Sequence, residues 1–217
     1  MKRILHILDE FYHEMEVWDR WKQDLYTYGH HGWVYTNRII LLPVYHSFIK
    51  VNTEHKPAFI YPENIGIPLS EWLFIQRRKE WTPILQKKVY TISIFVLHAV
   101  AWIETLKWCH ENIDDTTLYI MDAGDASNLI ARILVNKHTV KGTCEEAYKT
   151  HRPALYHIFE HLKHHIVGVG NMKTQWSQLM NMILHERNFT KIINKLIQIG
   201  ADDGYEDICA IFRTLGS

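Results

Sequence analysis

The sequence predicts a mainly α fold: a helical domain over residues 68–217 containing a glycine-linked pair of helices, preceded over 1–67 by a helix and a small α/β or extended region. Three observations carry this expectation. Ile4, Leu8, Phe11, Met15, Trp18 and Leu25 recur at the spacing of one helix face. Residues 33–61 are rich in β-branched and aromatic side chains and are punctuated by Pro43 and Pro57. From Pro68 onward, helix start signals follow one another to the end of the chain.

In chain order, residues 3–26 form an amphipathic helix whose polar face carries Glu10, Glu14, Asp19 and Lys22. "YGHHGW" (28–33) breaks it with two glycines, and two or three short strands or extended segments follow through 61. Ser70 is placed to cap "EWLFIQRRKEW". Thr82-Pro83 is a good start for a long helix through about His110, because the hydroxyl accepts an orphan N–H while proline has none to satisfy. Asp114, Asp115 and Thr116 can cap the next segment. "SNLIARILVNKH" (127–138) reads as a short helix ended near Gly142, and 144–166 as a longer one interrupted near Pro153. "NMKTQWSQLMNMILHE", "FTKIINKLIQI" and "YEDICAIFRTL" complete the helical domain.

A chain of 217 residues with 47% hydrophobic and 22% charged residues can bury one sizeable core without staples. Cys109, Cys144 and Cys209 are odd in number and form no CxxC pair, which argues against a disulfide framework or zinc knuckle and for a reducing, cytoplasmic setting. "MKRILHILDEFYHE" is interrupted by His6, Asp9 and Glu10 and does not read as a signal peptide. "ISIFVLHAVAWI" (92–103) falls short of the roughly 18–20 residues of a membrane span, so a buried helix and no membrane partner are expected. Lys+Arg and Asp+Glu both number 24, so nucleic acid could be held only by a local patch.

Such patches exist. Between Ala147 and Gly200 stand seven Lys/Arg (149, 152, 163, 173, 187, 191, 195) against two acids, Glu160 and Glu186. "QRRKEW" (76–81) with Lys87 and Lys88 is a second basic island, whereas 104–125 is acidic through Glu104, Glu111, Asp114, Asp115, Asp122 and Asp125. Within the first patch, "HHIVGVGNMKT" (164–174) sets Gly168 and Gly170 between two helices. A helix beginning there points unpaired N–H groups and a positive dipole end at an anion, which suits a DNA phosphate. Glycine also ends helices for conformational reasons alone. The residues placed to touch nucleic acid are Gly168, Gly170, Asn171, Lys173, Thr174 and Trp176, the last as a ring to stack on an extruded base or to pack under the hairpin.

"IVGVGNMKT", with Ile166, Gly168, Val169 and Gly170 as hydrophobic-x-Gly-hydrophobic-Gly, resembles the helix-hairpin-helix element of the DNA glycosylase superfamily. "EWLFIQRRKEWTPILQKK" (71–88) and "SNLIARILVNKHT" (127–139) resemble the helical domain of the phage and bacterial α-glutamyl/putrescinyl thymine pyrophosphorylases, so the likeness spans about residues 70–185. The resemblance implies a helical DNA-binding protein acting on a hypermodified thymine, with DNA as partner. The superfamily's catalytic aspartate is missing after the hairpin, where Glu186 is the only acid from Asn171 to Ala201, and Met172 takes the place of the catalytic lysine with Lys173 beside it. Glu186 and Lys173 are therefore the catalytic candidates. The alternative is a non-catalytic phage or viral accessory protein that binds another protein.

Two further constellations point elsewhere. Glu10, His13 and Glu14, with His157, Glu160, His161 and His164, share helix faces as in carboxylate-bridged di-iron bundles, which makes a metal-dependent enzyme the second alternative, but only Glu10-x-x-His13 has the required order, and no metal or other cofactor is expected. "YIMDAGDASN" (119–128) offers Asp122 and Asp125, with Glu104, as a ribonuclease H-like set. An aspartate on an earlier strand is lacking, because residues 25–113 contain none, and Asp125 or Ser127 fits better as a helix cap.

Overall fold

In the computed structural model the described residues are 11–13, 15–17, 19–21, 23–24, 39–41, 45–60, 65–77, 82–135, 139–164 and 170–206, with backbone alone at 41, 45–49, 51, 59–60 and 170–173. The fold is mixed α/β rather than mainly α, because strands run through the stretch expected to be wholly helical. The strands are β1 (Ile40–Leu41), β2 (Tyr45–Val51), β3 (Glu54–Ile60), β4 (Ile67–Pro68), β5 (Trp108–His110), β6 (Leu118–Met121), β7 (Ile130–Leu134) and β8 (Thr139–Lys141). The helices are α1 (Leu69–Gln76), α2 (Pro83–Thr105), α3 (Cys144–Lys163), α4 (Gly170–His185) and α5 (Phe189–Asp202). Described residues between 11 and 24 are helical as well.

The four-stranded sheet runs β1-β7-β6-β4, with β1 parallel to β7 and the other pairs antiparallel. β2 and β3 form a separate hairpin that pairs Val51 with Glu54 across a two-residue turn. Asn52 there has φ 59°, a left-handed conformation that asparagine tolerates and tight hairpins require. β4 straddles residues 67 and 68, where a boundary between the extended region and the helical domain is expected, and β1 also pairs with a strand from far along the chain.

The expected helix at 127–138 is β7 preceded by a single 3₁₀ turn, Ala126–Asn128. Ile130 to Leu134 alternate half-buried and buried, a period of two that only pairing on both sides makes decisive. Isolated, the same five residues are good helix formers except for β-branching at two of them. Asp114 caps no helix either: its Oδ1 accepts the N–H groups of Thr116 and Thr117 and turns the chain into β6.

α2 begins where expected, with the Thr82 hydroxyl accepting the Leu85 N–H and proline at the first position. It stops at Thr105 rather than near His110, because Lys107 takes φ 58° and the next three residues pair as β5 with β8. Ile92, Ile94, Leu97, Ala99, Val100 and Ile103 are fully buried, since α2 is the central rod touched by α3, α5, β5 and β7. By length and composition α2 passes for a membrane span, but most of it is covered by this chain. Pro153 does not interrupt α3, which runs through it with that ring on the exposed side. The N-terminal helix docks on the β5/β8 pair, with Trp21 stacked on Trp108 at 4.8 Å and the Trp108 N–H and Lys141 both reaching Asp24.

Candidate nucleic-acid interface

α3 starts with a full capping box, Thr143 Oγ1 accepting the Glu146 N–H while Glu146 Oε2 accepts the Thr143 N–H. That fixes the first of two helices that lie antiparallel along one another. At one end the Tyr148 hydroxyl donates to Leu184 O, 2.7 Å away; nearer the link, Phe159 stacks on Trp176 at 5.4 Å. α3 ends at Lys163 and α4 begins at Gly170, the second glycine of the pair. The first turn of α4 holds no acidic residue of its own, and one turn further on the Gln175 amide donates to Asp202 at the end of α5, 3.1 Å away.

Gly168 and the Ile166–Val169 core lie outside the described residues, as do the side chains of Asn171 and Lys173. Thr174 is exposed at the start of α4. Trp176 is not on that surface. Its ring is 1% exposed, its Nε1–H points to Phe159 O at 3.4 Å, and it holds α4 against α3. A base cannot stack on it without dismantling the hairpin core.

Glu186 sits in the turn between α4 and α5 and is committed there. One oxygen accepts the Asn188 N–H at 2.9 Å and the other meets Lys191 Nζ at 3.2 Å, and these bonds hold its carboxyl below the usual glutamate range. A carboxylate so stabilised is a poor general acid, and its geometry is that of a turn clamp. Beside it the Arg152 guanidinium is buried between aromatic faces, 3.7 Å from the Phe189 ring centroid and 5.3 Å from that of Tyr148, with Glu104 Oε2 at 3.7 Å. Burial lowers its pKa and Glu104 opposes that. It binds the end of α2, the body of α3 and the start of α5 together. No sequence pattern marked Arg152 for this role, since its ring and carboxylate partners outside α3 lie on α2 and α5, far away in the chain.

The histidines near Glu104 are structural. His151 Nε2 accepts the His110 N–H at 2.9 Å, so the ring proton sits on Nδ1 and is donated to Glu104 Oε1 at 3.0 Å. His110 Nδ1 accepts the Asn112 N–H, leaving Nε2–H for Leu134 O at 2.8 Å. Both rings have both nitrogens occupied and neither can act as a base without breaking a cross-link. Among the described residues no group of three or more His, Cys, Asp or Glu is arranged to hold a metal ion, and Glu10 and Glu14 of the di-iron reading lie outside them.

Asp122, Asp125 and Glu104 do not assemble into an acid triad. Asp122 is held by Lys88 Nζ at 2.7 Å, the Trp72 Nε1–H at 3.0 Å and the Gly124 N–H at 2.9 Å. Burial alone would raise its carboxyl, but those donors, Lys88 foremost, keep it below the usual range. Lys88 and Glu104 lie near opposite ends of α2, about 24 Å apart at the rise of a helix. Asp125 caps the 3₁₀ turn by accepting the Ser127 N–H, a cap as expected but of a different element. Asp122 does border a cavity of about 610 Å³ between Gly66, Ile67, Trp72, Ile120 and Met121, at the open edge of the sheet. No protein-family model and no curated protein sequence matches this chain.

Proposed function

We propose that the α3–α4 hairpin binds the phosphate backbone of DNA and that the protein is a DNA-binding module rather than a glycosylase. The carrying observation is that α4 begins at Gly170 with an acid-free first turn, directly after the short glycine-containing link from α3. The likeness of 166–170 to a helix-hairpin-helix core and the excess of Lys/Arg between 147 and 200 support the same reading. Glu186 does not extend it to catalysis, because both oxygens are spent on the turn that starts α5.

The test is a titration of a short labelled duplex at two salt concentrations with the wild type, Gly168→Glu/Gly170→Glu and Lys173→Ala. Phosphate contacts make affinity fall steeply with salt, and each variant is expected to weaken binding on duplexes of any sequence. Absence of duplex binding at low salt, or unchanged affinity in the double glycine variant, refutes the proposal. Single-stranded and thymine-hypermodified duplexes in the same assay report whether the backbone or the modified base is recognised.

A further inference from the structure

On the exposed side of the same hairpin, α3 and α4 leave a hollow of about 180 Å³ bordered by Tyr156 and Lys163 from α3 and Ser177, Met180, Asn181 and Leu184 from α4. Its polar residues carry a phenol, an ammonium, a hydroxyl and a carboxamide, each of which can donate. No carboxylate lines it. Among the described residues, no hydrogen bond or ion pair engages the Tyr156 hydroxyl, Lys163 Nζ or the Asn181 amide, although Lys149 on α3 is paired with Glu145. Lys163 is half-buried at the rim of the hollow. Tyr156 is held with its ring edge-on to His157. The whole of α4 contains no acidic residue.

We infer that this hollow is a phosphate-oxyanion subsite, resting on the backbone-binding reading of the hairpin and extending it to a second contact point. Lys163 supplies the charge, and Asn181 supplies a neutral donor from α4. Ser177 lies seven residues beyond Gly170 on α4, about 10 Å along the axis. The helix start and the hollow would hold two different phosphates of the same duplex. A free phosphate group carries the same oxyanion chemistry and is the second source of such a ligand.

Lys163→Ala and Lys163→Ala/Asn181→Ala are compared with the wild type and with Gly168→Glu/Gly170→Glu on a labelled duplex across a salt series, with circular dichroism confirming the fold of each. Loss of one phosphate contact lowers the slope of log affinity against log salt by about 0.9 and weakens binding about eightfold at 0.1 M salt. That result supports the inference. Unchanged slope and affinity in both hollow variants, with weakened binding in the glycine variant, overturns the subsite and leaves the hairpin reading standing. If wild-type protein binds no duplex at low salt, the hairpin reading fails and titration with inorganic phosphate, followed by amide NMR shifts at Ser177 and Asn181, decides the subsite. Saturable shifts that vanish in Lys163→Ala support it with free phosphate as the source, and flat shifts overturn it.

Discussion

Gly200 lies in the last turns of α5, directly over the Tyr90 ring on α2. A Cβ added there would overlap Tyr90 Cζ and Oη and come within 2.6 Å of Cε1. The ring cannot simply step aside. It is 1% exposed, its hydroxyl donates to Leu196 O at 2.6 Å, and Tyr205 packs against it at 5.6 Å. Gly200→Ala should therefore cost about 1–3 kcal/mol of overpacking and about 1 kcal/mol from a weakened buried hydrogen bond, offset by up to about 1 kcal/mol of improved helix propensity. The net expectation is about 2 kcal/mol, or a Tm lowered by about 4–8 °C in a domain of this size. Urea denaturation of four proteins measures it: wild type, Gly200→Ala, Tyr90→Leu and the double variant. Leucine removes the atoms that clash, so in that background Gly200→Ala should be neutral or stabilising. A destabilisation of equal size in both backgrounds would show that the α2–α5 contact is not what demands glycine.

Three further outcomes follow from the same geometry. His98 is largely buried in α2 and burial pulls its pKa from 6.5 down to about 4, so the unfolded chain takes up a proton first and stability should fall as pH drops from about 6.5 to about 4. The loss is at most about 3 kcal/mol, and pH-dependent denaturation of His98→Leu should show a flatter limb in that window. Arg152→Ala removes a buried cation from between Tyr148 and Phe189 and leaves Glu104 with His151 alone. It should cost about 3 kcal/mol, with Arg152→Lys recovering little because an ammonium cannot lie flat between two rings, and an equally stable lysine variant would count against the stacking account. Asp122 has a lowered pKa, so its ion pair with Lys88 contributes stability above the ordinary carboxylate range that is lost as pH falls through its folded value. Asp122→Asn should lose about 2–4 kcal/mol at neutral pH and show a shallower acid limb than the wild type, and an unaltered acid limb would refute this assignment.

Local start signals were readable because their chemistry is local. Thr82-Pro83 opens α2 as its hydroxyl and ring dictate, and the apolar run 92–103 is a buried helix because a helix apolar on every side must be covered. The glycine pair likewise marked a helix boundary, with α4 starting at Gly170. The strands after residue 105 were not legible in this way. "IARIL" carries residues compatible with either state, and Trp108–His110 and Thr139–Lys141 are three residues long, below the length at which alternation can be recognised. Trp176 shows the same limit at a site. Its position after the hairpin suits a base-stacking ring, and only its stacking against Phe159 of α3 makes it core.

What the sequence alone determined about this protein is where α2 to α5 begin, that the apolar run 92–103 is a buried helix, and that basic residues gather around the glycine link, since caps, hydrophobic period and charge are properties of neighbouring residues. Tertiary structure alone decided that β7 is a strand, that Glu186 clamps a turn, that His151 and His110 are cross-links and that Arg152 is buried between rings. Each of these depends on groups far apart in the chain. A strand needs a partner for its backbone, and a side chain's role is set by whichever atoms surround it once the chain has closed.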